Sequence, residues 1–144
     1  MSTTLGFGSN LANAKPLSLT FVGATDNDMR DALESPSVSL GRAKSATVTI
    51  IWPSSVDPAK PTGAFAVQCT SVCDASGNPD WTGAVAITEC SDAIVVAGQP
   101  NGTGGAGRLR LRNLPMTDAY LRIIYTPTSG GAGVVPTATV YLRT

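Results

Sequence analysis

Three arginines alternate with two leucines in one short segment, which is the pattern in the chain that most favours chemistry with an anion. Arg108, Arg110 and Arg112 flank Leu109 and Leu111. On a β-strand this alternation places the guanidinium groups on one face, about 7 Å apart, and the leucines on the other. Guanidinium groups bind carboxylates through paired hydrogen bonds and are enriched at interfaces. The segment therefore predicts a docking surface, with an ordinary polar sheet face and a charged edge as the alternative.

Charged residues are divided unevenly along the chain. Residues 1–100 contain five Lys or Arg and nine Asp or Glu, a balance of −4, whereas residues 101–144 contain five and one, a balance of +4. Arg122 and Arg143 lie in segments that are predicted to be strands neighbouring the arginine-rich one, and they complete the basic set. Residues 26–34 of a neighbouring copy are one candidate acidic partner. Because the two balances cancel, nucleic acid is not an expected partner.

The chain contains no histidine, which excludes several kinds of active site. Ser-His-Asp and Cys-His nucleophile systems cannot form within it, and neither can a Cys₂His₂ zinc site. A carboxylate pair would be a remaining route to catalysis, and no motif marks one. We therefore expect no enzyme activity, no catalytic residue, no metal and no cofactor.

The three cysteines do not form a metal-binding pattern. Cys69 and Cys73 are spaced as C-x₃-C without a second pair, which is typical of small buried side chains. If both lie in one extended strand, they are about 13 Å apart and cannot be bridged. We predict no disulfide between them, while a pairing of either with Cys90 stays open.

Glycines and tryptophans offer two further candidate sites. The glycines of residues 102–107 are spaced somewhat like a phosphate loop, but a strand follows them instead of a helix with Lys-Ser/Thr, so a nucleotide site is not expected. Trp52 ends the apolar face of a strand and is predicted to be core. Trp81 follows a polar turn and is a candidate sugar-binding ring.

Short strands separated by turn residues are predicted from residue 37 onward. Ala46, Val48, Ile50 and Trp52 fall on one strand face, and similar alternation recurs along the chain. About eight such segments, with no βαβ alternation, predict an all-β fold: an antiparallel, jelly-roll-like β-sandwich over residues 37–144.

Residues 1–36 are predicted to form an extended N-terminal arm. Its anchors would be Leu5, Phe7 and Leu11, which have no helical or strand period and so need another chain to order them. Residues 16–22 favour a strand. Residues 25–34 favour either a two-turn helix or an acidic surface loop. We expect the sandwich to fold without the arm.

The sequence lacks the features of a secreted or membrane protein. No basic and apolar leader begins the chain, and no apolar run approaches the ~20 residues of a membrane helix. These features predict synthesis in a reducing cytoplasm and no membrane partner.

Several motifs are similar to those of small virion proteins of tailed bacteriophages. The resemblance covers about residues 45–143 and departs from the pattern in the longer turn before Trp81 and in Cys69, where Ser is common. The matching residues are Gly63, Phe65, Val67 and Gln68; Asn78, Asp80 and Trp81; Tyr120, Leu121, Arg122, Tyr125 and Thr126; and Ser129, Gly130 and Gly133.

This resemblance implies a capsid decoration (cement) protein. Such a protein binds the outer capsid surface and stabilises the head by bridging subunits of the major capsid protein. The chain would then be located on the virion, after synthesis in the host cytoplasm, and would form a dimer or trimer there. The alternative is a receptor- or glycan-binding β-sandwich module of a phage tail or capsid.

Overall fold

The structure, a computed structural model, describes residues 4–6, 16–53, 60–86 and 107–144. These residues form eleven strands joined by turns and bends, and no membrane-spanning helix is found among them. The strands are β1 (Thr4–Gly6), β2 (Leu17–Thr20), β3 (Val22–Gly23), β4 (Leu33–Glu34), β5 (Ser37–Ser39), β6 (Ser45–Trp52), β7 (Thr62–Thr70), β8 (Val85–Ala86), β9 (Gly107–Pro115), β10 (Tyr120–Ser129) and β11 (Thr137–Arg143).

The first sheet contains seven strands and is organised around β10. β7 pairs with β10 along one edge, from Thr70 opposite Tyr120 to Thr62 opposite Ser129. β5 and β4 follow each other along the opposite edge of β10. β3 pairs with β4 and β8 pairs with β7, and these pairings are antiparallel. The pairing of β1 with β5 is parallel.

The second sheet contains four antiparallel strands in the order β2–β11–β6–β9. Its strands alternate between buried and solvent-facing residues. In β6, Ala46, Val48, Ile50 and Trp52 are buried, as the sequence predicts. One face of this sheet therefore packs on the core, and the other is left to solvent.

Aromatic rings join the two sheets across the core. The Phe65 ring of the first sheet lies 6.0 Å from the Trp52 ring of the second and 4.7 Å from the Tyr125 ring. Phe21 lies 5.8 Å from Phe65. Full burial of an apolar side chain of this size contributes roughly 1.5–3 kcal/mol, so this cluster is a major source of stability.

The predicted all-β sandwich with two antiparallel sheets is confirmed. Seven of the strands lie from residue 37 onward, and a further strand expected at residues 93–96 falls outside the described residues. Cys69 and Cys73 are not joined by a disulfide, as predicted. The expectation that both are buried in one strand is wrong, because β7 ends at Thr70, Cys69 is only partly buried and Cys73 is exposed. Cys90 lies outside the described residues.

Residues 25–34 form a loop that ends in β4, so the helix interpretation is wrong and the acidic-loop interpretation is right. Asp31 accepts hydrogen bonds from the backbone N–H groups of Thr25 and Asp26. Asn27 adopts a left-handed φ of 55° and its side chain accepts a hydrogen bond from Gly23 N–H. Such local side-chain bonds satisfy the backbone in place of a helix.

The segment expected to be an arm contributes strands to both sheets. The strand expected over residues 16–22 is interrupted at Phe21, where the chain crosses from the second sheet (β2) to the first (β3). Leu19 and Phe21 are each 2% exposed. Removing this segment would open both the core and the β2–β11 ladder, so we now expect the sandwich to depend on it.

Candidate functional site

The solvent-facing side of the second sheet is basic, and we call it the basic face. Arg108, Arg110 and Arg112 project from it on β9, while Leu109 and Leu111 are buried on the other side. The alternation predicted from the sequence is confirmed.

Neighbouring strands place hydroxyl groups beside these arginines. Arg110 lies opposite Thr49 of β6. Thr49 in turn lies opposite Thr139 of β11. The Arg110 Nε donates a hydrogen bond of 3.3 Å to the Thr49 hydroxyl. The next row contains Thr47, which lies opposite Tyr141.

A β-bulge shapes the end of β9. The register of the β6–β9 ladder shifts between Ala46 and Val48, and Asn113 adopts a left-handed φ of 52°. As a result Leu111 and Leu114 both remain buried, while Arg112 is exposed between them. A bulge of this kind re-aims side chains at the edge of a sheet, and here it returns Leu114 to the core after the two exposed residues Arg112 and Asn113.

A shallow groove of about 500 Å³ runs across the basic face, and we call it the basic groove. Its lining contains no Asp or Glu and crosses β11, β6 and β9. The lining residues are Pro16, Thr47, Thr49, Arg110, Arg112, Asn113, Thr139, Tyr141 and Arg143.

The guanidinium groups of the basic face are not neutralised within the described part of the chain. None of the ion pairs found there includes Arg108, Arg110, Arg112 or Arg143. The Arg143 guanidinium instead lies 5.9 Å from the centre of the Tyr141 ring. Arg143 thus shares a groove with the β9 arginines, although β6 separates its strand from theirs.

Arg122 does not belong to this set, and its expected place beside the arginine-rich strand is wrong. Its strand, β10, lies in the first sheet. The guanidinium pairs with Glu34 at 3.0 Å and donates a hydrogen bond to Gln68. Burial lowers the pKa of Arg122, although the nearby Glu34 charge acts in the opposite direction. Arg122 is therefore a structural residue, because its polar groups are already engaged.

The two tryptophans do not provide a sugar-binding platform in the described structure. Trp52 is 7% exposed and stacks on Phe65, so its predicted place in the core is confirmed. Trp81 donates a hydrogen bond from Nε1 to Ser37, and the Arg122 guanidinium covers its ring at 4.7 Å. A ring covered in this way does not offer that face to a sugar.

Of the three apolar anchors expected in residues 1–24, one lies in the described residues. Leu5 lies in β1, whose backbone pairs with β5 of the same chain at Val38. Phe7 and Leu11 lie outside the described residues, as do Gly102, Gly104 and Gly105. For residues 4–6, order therefore comes from this chain's own sheet.

The acidic segment of residues 26–34 is engaged within the chain. Asp28 is 3% exposed and accepts hydrogen bonds from the Arg30 guanidinium and from Gly133 N–H. The bond from Arg30 is the main reason why the pKa of Asp28 is lowered to about 2. Asp26 also pairs with Arg30, at 3.3 Å. These carboxylates are therefore poorly placed to serve a neighbouring copy.

The described residues contain no metal-binding cluster and one buried hydroxyl without a partner. They contain no group of three or more Cys, Asp or Glu side chains that could hold a metal ion. The Tyr125 hydroxyl is buried without a hydrogen-bond partner, and burial raises the pKa of Tyr125 to about 12. It lies against Gly63 inside the sandwich. No substrate reaches a group in that position.

Sequence reasoning found the arginines of β9 and missed the floor of the groove. Thr47, Thr49, Thr139 and Tyr141 alternate outward along their strands, a signal that is present in the sequence. The sequence does not show the strand order and register that place β6 beside β9 and β11 beside β6.

Comparisons with known proteins give weak similarities only. No protein-family model matches the chain, and no curated protein is similar to it. The K1 cleaved adhesin domain of Lys-gingipain from Porphyromonas gingivalis W83 is similar at 20% identity with a TM-score of 0.36, covering 81% of this chain and 63% of that domain. The K3 cleaved adhesin domain of the same protein is similar at 15% identity with a TM-score of 0.34, covering 88% and 71%. Neither similarity assigns a ligand to the present chain.

Proposed function

We propose that this protein is a non-enzymatic capsid decoration protein of a tailed bacteriophage. It binds the outer capsid surface through the basic face and bridges subunits of the major capsid protein. The observation that carries the proposal is the set of four arginines on one sheet face, Arg108, Arg110, Arg112 and Arg143, none of which has an ion-pair partner in the described residues.

The motifs that resemble virion proteins support the choice of a virion. In the structure they meet in one unit, because Phe65 pairs with Tyr125 and Gln68 pairs with Arg122 across the β7–β10 ladder. Trp81 then stacks on Arg122. The motif residues therefore stabilise the first sheet. The shared pattern serves folding, and the basic face on the second sheet is available for binding.

Attachment by this face would rely on repetition. A solvent-exposed pair between Arg and a carboxylate contributes only about 0.2–1 kcal/mol, so a single copy binds weakly. A dimer or trimer multiplies identical contacts, and a capsid presents their partners at fixed spacing. The second and later contacts then form at high effective concentration, which makes the whole attachment strong.

Cosedimentation with capsids that lack the protein tests the proposal. The variant Arg110→Ser/Arg112→Ser removes two charges from the basic groove, and its matched control, Arg42→Ser/Lys44→Ser, removes two exposed charges from the turn before β6. We expect the wild type and the control to sediment with capsids and the groove variant to remain in the supernatant. If the wild type stays in the supernatant, the decoration function is wrong. If the groove variant binds as well as its control, the contact lies on another face.

The receptor- or glycan-binding alternative has less support. It needs an exposed aromatic ring, and in the described residues Trp52 is buried and Trp81 is covered by Arg122. Tyr141 remains at 40% exposure, with Arg143 over its ring. Binding to a glycan array by the wild type, lost in Arg143→Ser/Tyr141→Ala, would favour this alternative over decoration.

A further inference from the structure

We infer that the basic groove is a receptor for an extended acidic peptide segment that carries Asp or Glu at alternate positions. That the groove binds such a segment is inferred from the groove residues alone. That the segment belongs to a capsid protein rests on the proposed function.

An imbalance of charge partners supports an acidic ligand from outside the chain. Arg110, Arg112 and Arg143 have no carboxylate partner in the described structure. None of the seven acidic residues in the same part of the chain lines the groove. Asp26, Asp28 and Glu34 pair with arginines, whereas backbone or hydroxyl donors bind Asp31, Asp74, Asp80 and Asp118.

The spacing of the groove fits an extended peptide. Arg110 and Arg112 are two residues apart on β9, so their Cα atoms are about 7 Å apart, which is also the separation of alternate side chains in an extended ligand. Arg143 lies two strands away and is in register with Ser45 of β6 and Pro115 of β9, so it stands at the end of the groove beyond Arg112. A peptide lying along β9 therefore meets Arg110 and Arg112 in turn and then Arg143 at the end of the groove.

The floor of the groove suits the backbone of such a peptide. The hydroxyl groups of Thr47, Thr49 and Thr139 lie between the arginines, and a hydroxyl both donates and accepts hydrogen bonds. Peptide N–H and C=O groups need both kinds of partner. The hydroxyl floor can therefore bind the ligand backbone while the guanidinium groups bind its carboxylates.

The same lining is less suited to a sugar. Sugar rings commonly stack on an open aromatic face, and here Arg143 lies over Tyr141. Neutral sugars also need acceptors such as carboxylates, and no Asp or Glu lines the groove. A sulfated polysaccharide would satisfy the charges without using the alternate spacing on β9, so the experiment includes it as a competing ligand.

Fluorescence anisotropy on the full chain tests the inference. The probe is a labelled synthetic peptide in which Asp alternates with Thr, and the control peptide has Asn in place of each Asp. We expect the Asp peptide to bind about tenfold more tightly than the Asn peptide, and raised salt to weaken its binding. Arg110→Ser and Arg143→Ser should each weaken binding about three- to fivefold, whereas Arg42→Ser should leave it unchanged. Arg110→Lys should retain part of the affinity, since it keeps the charge and loses the paired hydrogen bonds.

Equal binding of the Asp and Asn peptides would overturn the inference, and so would tighter binding of heparin than of the Asp peptide. Equal loss of affinity in Arg42→Ser and Arg110→Ser would also overturn it, because the effect would then be one of net charge. Thermal melting of each variant shows that it is folded. If the wild type sediments with capsids and ignores the Asp peptide, the inference fails while the decoration function stands. If it binds the Asp peptide and does not bind capsids, the decoration function is wrong and the inference about the groove stands.

Discussion

The guanidinium carbon of Arg122 lies 4.7 Å from the centre of the Trp81 ring. This contact attaches the loop of residues 71–84 to the first sheet. On the sheet side, Arg122 is held by Glu34 and Gln68. On the loop side, Trp81 is held by its hydrogen bond to Ser37, whose side chain is buried. Residues from β4, β5 and β7 thus hold the pair formed by Arg122 of β10 and Trp81 of the loop.

Trp81→Ala should destabilise the protein by about 1–2 kcal/mol. The substitution removes the cation–π contact and leaves the Ser37 hydroxyl without its partner. Urea unfolding followed by circular dichroism measures the change. Val72→Ala is the control, since Val72 lies in the same loop at 61% exposure and should change the free energy of unfolding by less than about 0.5 kcal/mol. Equal effects of the two substitutions would show that the contact does not stabilise the fold.

Asp28 should make stability depend on pH in the acid range. Its pKa is lowered from 3.8 to about 2 in the folded state, so between these values the unfolded chain binds more protons than the folded one. Stability is therefore complete above about pH 4 and falls as the pH drops toward about 2. The expected loss is about 1–2 kcal/mol, a value reduced because Arg30, the main partner, is half exposed.

Urea unfolding at a series of pH values, on the wild type and on Asp28→Asn, checks this expectation. Asp28→Asn should be less stable than the wild type at neutral pH, because it loses the charged hydrogen bonds to Arg30. It should also lose most of the decline between pH 4 and pH 2. An unchanged decline in the variant would mean that other carboxylates cause it.

Gly107→Ala should destabilise the protein by about 1–3 kcal/mol. Gly107 lies opposite Trp52 in the β6–β9 ladder, and a Cβ atom there would lie 1.7 Å from the indole ring. The ring is 7% exposed and packs on Phe65, so it has little room to move. Thermal melting measures the loss, and Arg108→Ala is the control at the next residue. A melting temperature equal to that of the control would show that Trp52 repacks freely.

Local alternation made the strands predictable. The apolar positions of residues 46–52 and the arginines of residues 108–112 each repeat every second residue, and this period requires no knowledge of the partner strand. The structure confirms both faces. The arginine part of the candidate site could be predicted for the same reason.

Sheet membership is non-local and was not predictable. β9 and β10 are consecutive and only four residues separate them, yet they lie in different sheets. In the connection, Met116 donates its backbone N–H to Lys44 C=O and is buried, so the chain crosses the end of the sandwich there. The expectation that Arg122 lies beside Arg112 follows from the rule that consecutive strands usually pair. No signal in either segment indicates the crossover.

The loop of residues 25–34 shows a different limit. Acidic residues after Thr25 favour a helix start, and the same side chains can bond to nearby backbone N–H groups in a loop. The pair of the buried Asp28 with Arg30, and the bond that Asp28 accepts from Gly133, favour the loop. Gly133 is more than a hundred positions away in the sequence, so local pattern alone could not decide.

Phe21, between the N-terminal strands β2 and β3, is a main source of their contribution to stability. Phe21→Ala should destabilise the protein by about 3–5 kcal/mol, because the side chain is 2% exposed and packs against Phe65. Val22→Ala is the control at the next position, where the side chain is 47% exposed, and it should change stability by less than about 0.5 kcal/mol. Urea unfolding measures both.

A shortened chain that starts at Ala24 should then fail to fold. It lacks Leu19 and Phe21 from the core, and it leaves the β11 edge without β2, which pairs from Leu17 to Thr20. Loss of these two side chains alone removes roughly 3–6 kcal/mol, which is comparable with the 5–15 kcal/mol that stabilises a typical domain. Circular dichroism and thermal melting of the shortened chain measure the outcome. A cooperative melting transition near that of the full chain would show that residues 24–144 fold without β1, β2 and β3.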